Sequence, residues 1–284
     1  MFVITGATGN TGSVAAQTLL DAGKQVRVVV RNAAKANNLA ARGAEVVEVD
    51  LANEAALTNA FRDAEGVYLL SPPDLTLPDF FVARKKLVES YARVIKAAGV
   101  KHTVFLSSMA AQHSSGTGMI LSAHNGEQAL KTTGLPVTFV RAAYFMENWG
   151  LVLQPARSDG VLPSFIAASR AIPMVATRDI GTTAARALLD GPRGTRIIEL
   201  GGPAEYSPAE VATTLGKLLG REVNVVEVPL DISAFAAFGA SQVVAEGFRD
   251  MYQGLANGRV SWEGGSAEAA RGTTSIEALL RALI

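Results

Sequence analysis

The sequence predicts a doubly wound parallel α/β sheet with a smaller, mainly C-terminal α/β lobe. Short apolar runs alternate with helical patterns six times within about 140 residues, the rhythm of parallel strands joined by crossover helices. Glycines spaced G-x-x-G-x-x-G stand between the first strand run and the first helix. The second run is rich in valine, which suits a strand covered on both faces.

Phe2–Thr5 is apolar and short enough to read as a buried strand. After the glycine turn, Val14, Ala15, Thr18, Leu19 and Ala22 recur at helical spacing until Gly23 ends the helix. Gln25–Arg31 is the second strand, 35–42 a short helix ending at Gly43, and 44–49 the third strand, closed by Asp50. A helix over Glu54–Phe61 leads to a fourth strand over 66–70, which runs into Ser71-Pro72-Pro73. A long helix over 80–98 has Gly99 at its C′ position. The fifth strand, 101–106, ends in Ser107-Ser108; a helix over 125–133 stops at Gly134, and 137–141 is the sixth strand.

Beyond Arg141 the rhythm loosens, and 153–172 carries turn signals at Asp159-Gly160 and Pro163 without a clear period. A helix over 180–189 and a strand over 196–200 are expected to rejoin the first sheet or its edge. Ser207-Pro208-Ala209-Glu210 is a capping box with proline at the first helical position, opening a helix to Leu219 that Gly220 ends. A strand over 222–228, two helices within 231–255 around 239–242, a hinge at Gly264-Gly265 and a closing helix over 275–283 complete the chain. The expected division is a nucleotide-binding domain over 1–150, joined by 174–201, and a smaller lobe from 151–173 and 202–284.

Composition narrows the chemistry. Lys+Arg 26 balances Asp+Glu 26, and no basic run offers an electrostatic footprint for nucleic acid. The densest cluster, Arg84-Lys85-Lys86, reads as a solvated helix face. There is no cysteine, which removes disulfides, thiolate catalysis and cysteine-ligated metal centres. His102, His113 and His124 match no metal-ligand spacing, so no metal is expected. No apolar run reaches the roughly 18–20 residues that span a bilayer, and the N-terminus lacks a basic leader; a cytoplasmic protein is expected.

Glycine is in excess, with 27 residues, and position gives part of that excess a task. Gly6, Gly9 and Gly12 permit a tight turn, close approach of backbone N–H groups to a pyrophosphate, and close packing of the helix on the sheet. With Thr8, Asn10 and Thr11 they form a cofactor-binding turn of Rossmann type, closed by the N-terminus of a helix. Nineteen residues past Gly12, where an acidic side chain would bind the ribose hydroxyl of NAD, stands Arg31, with Lys35 four residues on. A guanidinium can bind a 2′-phosphate through two parallel hydrogen bonds, so NADP(H) is the expected cofactor; a solvated strand-end arginine is the alternative. In such a sheet the ligand lies across the carboxyl ends of the strands. That rim holds Asp50 and Leu51 for the adenine, Ser71 and Pro72 for ribose and pyrophosphate, then Ser107, Ser108, Tyr144 and Phe145.

The glycine turn with Val29-Val30-Arg31-Asn32 resembles the NmrA-like family of atypical short-chain dehydrogenases. So do Ala97-Ala98-Gly99-Val100-Lys101, Gly134-Leu135-Pro136-Val137-Thr138-Phe139-Val140-Arg141, Tyr144-Phe145-Met146-Glu147-Asn148 and Asp179-Ile180. The resemblance is greatest to its bacterial quinone- and triphenylmethane-reductase members. It implies a Rossmann domain, a small C-terminal substrate lobe and a cleft between them. Typical members of the wider superfamily use Tyr-x-x-x-Lys with a Glu four residues later. Anchored on Glu127, those positions are Met119 and Ala123, so neither group of the dyad is present. The quinone and triphenylmethane reductases of the family also lack it, which keeps hydride transfer to a planar conjugated acceptor open.

His124, beside the missing lysine position, and Tyr144 are the catalytic candidates; a helix-start role and a core role are their alternatives. Phe145, Asn148 and Trp149 are candidates for the substrate pocket, where the aromatics could stack on a planar molecule or simply pack. The expected activity is NADPH-dependent reduction of a quinone or similar acceptor, by a monomer or homodimer acting on a small molecule. An NADP(H)-binding, redox-sensing regulatory protein of NmrA type with little or no catalysis is the alternative.

Overall fold

Eight strands form one parallel sheet in the computed structural model, which describes residues 1–237 and 239–284. The first six are β1 (Phe2–Thr5), β2 (Val26–Val30), β3 (Glu45–Glu48), β4 (Gly66–Leu69), β5 (Thr103–Ser108) and β6 (Val137–Ala142). They lie in the order 3-2-1-4-5-6, and the strands Thr195–Gly201 and then Glu268–Arg271 extend the sheet beyond β6. Order reverses between β1 and β4, which opens a crevice at their carboxyl ends. The crossover helices are α1 (Asn10–Asp21), α2 (Asn37–Ala40), α3 (Glu54–Phe61), α4 (Phe80–Ala97) and α5 (Leu121–Lys131).

Strand alternation explains why these runs are apolar throughout. Ile4, Val28, Val30 and Tyr68 pack with Leu19 of α1 and with Ile180 and Leu188 of the helix Thr177–Asp190. Val3, Val29, Val67 and Leu69 point the other way, into Leu57, Phe61, Tyr91 and Ile95 of α3 and α4. A third core, including Trp149, Leu162, Met174, Leu215 and Leu280, fills the smaller lobe. There, Val161–Ser164 pairs parallel with Asn224–Glu227, and Ile172–Val175 lies between Tyr144–Phe145 and Glu205–Tyr206.

Several elements differ from expectation. The segment 35–42 is a 3₁₀ turn, Ala33–Ala36, running into the four-residue α2. α5 starts at Leu121 rather than 125, behind a 3₁₀ turn at Gly118–Ile120. The stretch without a clear period holds the helix Leu153–Asp159 and the strand Val161–Ser164 and runs into the strand Ile172–Val175, each too brief to show one. The expected hinge at Gly264-Gly265 is a pinned turn, because Glu199 accepts from the backbone N–H groups of Glu263 (2.7 Å) and Gly264 (3.3 Å). It leads into Glu268–Arg271, which belongs to the large sheet although 202–284 is assigned to the lobe. That strand is held by side chains rather than apolar pattern: Glu268 accepts two hydrogen bonds from Arg196 on the neighbouring strand, at 2.9 and 2.8 Å. Of the two helices expected within 231–255, Ile232–Ala236 and Gln242–Ala256 are present, and Phe238 between them lies outside the described residues. Among the described residues no helix is long and apolar enough to cross a membrane, and no group of three His, Asp or Glu could hold a metal.

Candidate active site

The turn after β1 is as tight as its glycines allow. Gly6 adopts φ +62°, and the Gly9 N–H donates to its carbonyl at 2.9 Å. A Cβ on Gly12 would lie 2.4 Å from the Gly6 oxygen, so the first turn of α1 packs against backbone that only glycine leaves room for. No side chain caps α1 and its first turn carries no acid, which leaves its N–H groups facing the crevice for an anion. Thr11 adds to this end. The buried Tyr68 hydroxyl donates to Thr11 Oγ1 at 2.9 Å, so the proton of Thr11 itself is free for a ligand. Burial pushes the Tyr68 phenol well up, which keeps it a donor.

A cleft of about 650 Å³ runs from this turn along the carboxyl ends of the strands. It brings together Gly6, Thr8, Gly9, Asn10 and Thr11 with Arg31 at the end of β2 and Leu51 after β3. Further along stand Ser71 and Pro72 after β4, Ser107 and Ser108 at the end of β5, and Phe145. Arg31 is exposed; its charge and that of Arg84 reach the Asp74 carboxyl, which Thr76 hydrogen bonds already hold below its usual range. Ser71 Oγ is buried without a hydrogen-bond partner among the described residues, a cost that a ligand hydroxyl or phosphate in the cleft would remove. With the cradle around Gly12, this orphaned hydroxyl fits the residues to a dinucleotide. Phe80, Ser122 and Thr177 also line the cleft, and sequence reasoning missed them because all three stand at helix starts that carry no motif. Met119 and Ala123 line it too, at the places reached by counting back from Glu127.

Other candidates stand elsewhere. Gly12 is tucked behind the turn. Lys35 is exposed on its 3₁₀ turn, and Asp50 Oδ1 accepts from the Ala52 N–H at 3.0 Å, which closes its own turn. Neither lines the cleft. His124 is half-buried off the cleft wall, its Nδ1 donating to the Ala111 carbonyl at 2.8 Å. Tyr144 and Phe145 form a two-residue strand whose alternation sends Phe145 to the cleft and Tyr144 to the core of the smaller lobe. The Tyr144 hydroxyl lies 3.2 Å from that of Tyr252, and burial raises its pKa, with the Tyr252 and Asn148 side chains opposing. Asn148 is half-buried beside it rather than on the cleft wall. Trp149 is 3% exposed and donates to Met174 Sδ at 3.4 Å, so it is core rather than a stacking platform.

Behind Ser107 lies a buried ion pair that the sequence did not advertise. Glu127 is fully buried and accepts from Arg141 Nε (2.7 Å) and Nη2 (2.8 Å) and from Ser107 Oγ (2.7 Å). Burial alone would raise its carboxyl, but the Arg141 bonds and charge, with Ser107 and Lys131, hold it below the usual range. Arg141 also binds Glu263, tying the segment before the pinned turn to the ion pair behind Ser107.

Relatives place this geometry in context. An NAD(P)H azoreductase from Xenophilus azovorans is 28% identical over 254 residues, 89% of this chain and 86% of that protein. Quinone oxidoreductase 2 from Escherichia coli strain K12 is 30% identical over 255 residues, 88% of this chain and 85% of that protein. The crystal structure of an NADPH-dependent quinone oxidoreductase from Escherichia coli, complexed with NADPH, matches with a TM-score of 0.84 at 26% identity, covering 100% of this chain and 99% of that one. The model of the NmrA-like family matches residues 1–266, and the chain belongs to that family.

Proposed function

We propose that the protein is an NADP(H)-dependent oxidoreductase of the cytoplasm that reduces a quinone or similar planar conjugated acceptor without a Tyr-x-x-x-Lys dyad. One observation carries this reading. A single cleft joins free N–H groups, Thr11 and Arg31 at one end to an apolar wall of Phe80, Met119, Ala123 and Phe145 at the other. The first end suits a pyrophosphate and a 2′-phosphate; the second suits a flat, uncharged ring system.

When bound, NADPH supplies the hydride. The chain's part is then to bind and orient. The glycine turn and Arg31 hold the phosphates, Ser71 offers its unpartnered hydroxyl, and the apolar wall excludes water beside the acceptor. Met119 and Ala123 bring neither a phenol nor an ammonium to that wall. Acceptors that take hydride readily are favoured over carbonyls that need a strong acid, and the proton comes from water or a weak donor. The names of the relatives, azoreductase and quinone oxidoreductase, support the same acceptor class.

The test is steady-state oxidation of NADPH, and of NADH, by purified protein with 1,4-benzoquinone and an azo dye. Turnover above the no-enzyme rate with NADPH preferred is expected. Tight NADPH binding with no turnover across such acceptors would favour a redox-sensing role instead.

A further inference from the structure

Protons in the cleft are distributed unevenly between its two ends. At the glycine turn the free groups are donors: the first-turn N–H groups of α1, the Thr11 hydroxyl and Arg31. At the end of β5 the hydroxyl protons are already committed inward. Ser107, 4% exposed yet lining the cleft, gives its proton to Glu127 at 2.7 Å. Ser108 gives its proton to the Met109 carbonyl at 3.0 Å. Glu127 cannot return the favour. Its oxygens are occupied by Arg141 Nε and Nη2 and approached by Lys131 Nζ at 3.3 Å, an arrangement that keeps the carboxyl ionised and therefore an acceptor. What either serine hydroxyl can offer a ligand is therefore a lone pair and not a proton.

An acceptor-only hydroxyl selects a donor. With the pyrophosphate at the β1 turn and the 2′-phosphate at Arg31, the nicotinamide half of the cofactor lies toward β4 and β5. Its ring bears one hydrogen-bond-donating substituent, the amide nitrogen of the carboxamide. A quinone brings only carbonyl oxygens, which these lone pairs repel. Resting on the NADP(H) reading above, we infer that Ser107 accepts a hydrogen bond from the carboxamide N–H of the nicotinamide, and that Glu127, held by Arg141, is the positioning residue that fixes the serine hydroxyl in this sense.

The test compares binding of NADP⁺ with its 3-acetylpyridine analogue, which has a methyl group in place of the amide nitrogen, by isothermal titration of the full chain. The unsubstituted protein is expected to favour NADP⁺ by about tenfold. Ser107→Ala is expected to bring the two nucleotides within about twofold, through loss of NADP⁺ affinity while the analogue binds as before. Glu127→Gln, whose amide can donate to the serine and turn its hydroxyl, narrows the preference in the same direction; if that variant does not fold, Ser107→Ala decides alone. A preference unchanged in Ser107→Ala, or an equal loss for both nucleotides, overturns the inference. Failure of the unsubstituted protein to bind either nucleotide instead removes the proposed function on which it rests.

Discussion

Replacing Arg31 by Ala removes the guanidinium at the β2 end of the cleft. NADPH affinity is expected to fall by about 1.5–3 kcal/mol while NADH affinity stays within about twofold, measured by fluorescence titration of both. Gly12→Ala acts through sterics instead. Its Cβ would meet the Gly6 oxygen at 2.4 Å, so a loss of about 1–3 kcal/mol in urea unfolding and weaker nucleotide binding are expected together. The glycines and Arg31 were legible because each has a local reason, a turn or a strand end at fixed distance. Tyr144 and Trp149 were not: the register of a two-residue strand decides which of Tyr144 and Phe145 reaches the cleft, and Trp149 lies on the 3₁₀ helix Met146–Val152, whose packing into the lobe core no local pattern marks. Glu127 served the sequence reading only as a spacing marker; its pairing with Arg141 depends on β5 and β6 lying side by side under α5.

At the scale of elements, the helix Thr177–Asp190 holds the chain's last turn in place. Asp179 in its first turn accepts from both the N–H (2.9 Å) and the hydroxyl (3.0 Å) of Thr274, just before the helix Ile276–Leu283. Gly272 passes so close that a Cβ there would touch the Asp179 carboxyl. Asp179→Ala is expected to cost about 1.5–3 kcal/mol and to speed hydrogen exchange selectively in residues 274–283. Elements with a strong local signature, such as the capping box at Ser207 and Glu210, stand where the sequence puts them. The strand Glu268–Arg271 escaped because Glu-Ala-Ala-Arg has low strand propensity; its partner Arg196 lies far back in the chain.

For the molecule as a whole, His102 sets an acid limit. It is 1% exposed, with Nε2 at 3.1 Å from Thr138 Oγ1 and Nδ1 without a partner among the described residues. Burial, then the charge of Arg196, pushes its pKa down to about 4, against about 6.5 in an unfolded chain. Between these values the unfolded chain takes up a proton that the folded protein refuses. Stability is therefore full above pH 6.5 and is lost as pH falls toward 4, by up to about 3 kcal/mol. His102→Gln is expected to flatten urea-unfolding midpoints across that window; an unchanged slope would remove His102 as the cause.

The strand Glu268–Arg271 also has a consequence in time. It covers one side of Thr195–Gly201, yet it is synthesised long after that strand and after most of the smaller lobe. A growing chain can assemble β1 to β6 and dock Thr195–Gly201 while the far side of that strand still offers unpaired N–H and carbonyl groups. Until residues 268–271 emerge, the nascent sheet ends in a seven-residue strand rather than in the short four-residue one that borders the finished protein, and the longer edge is the better template for another chain.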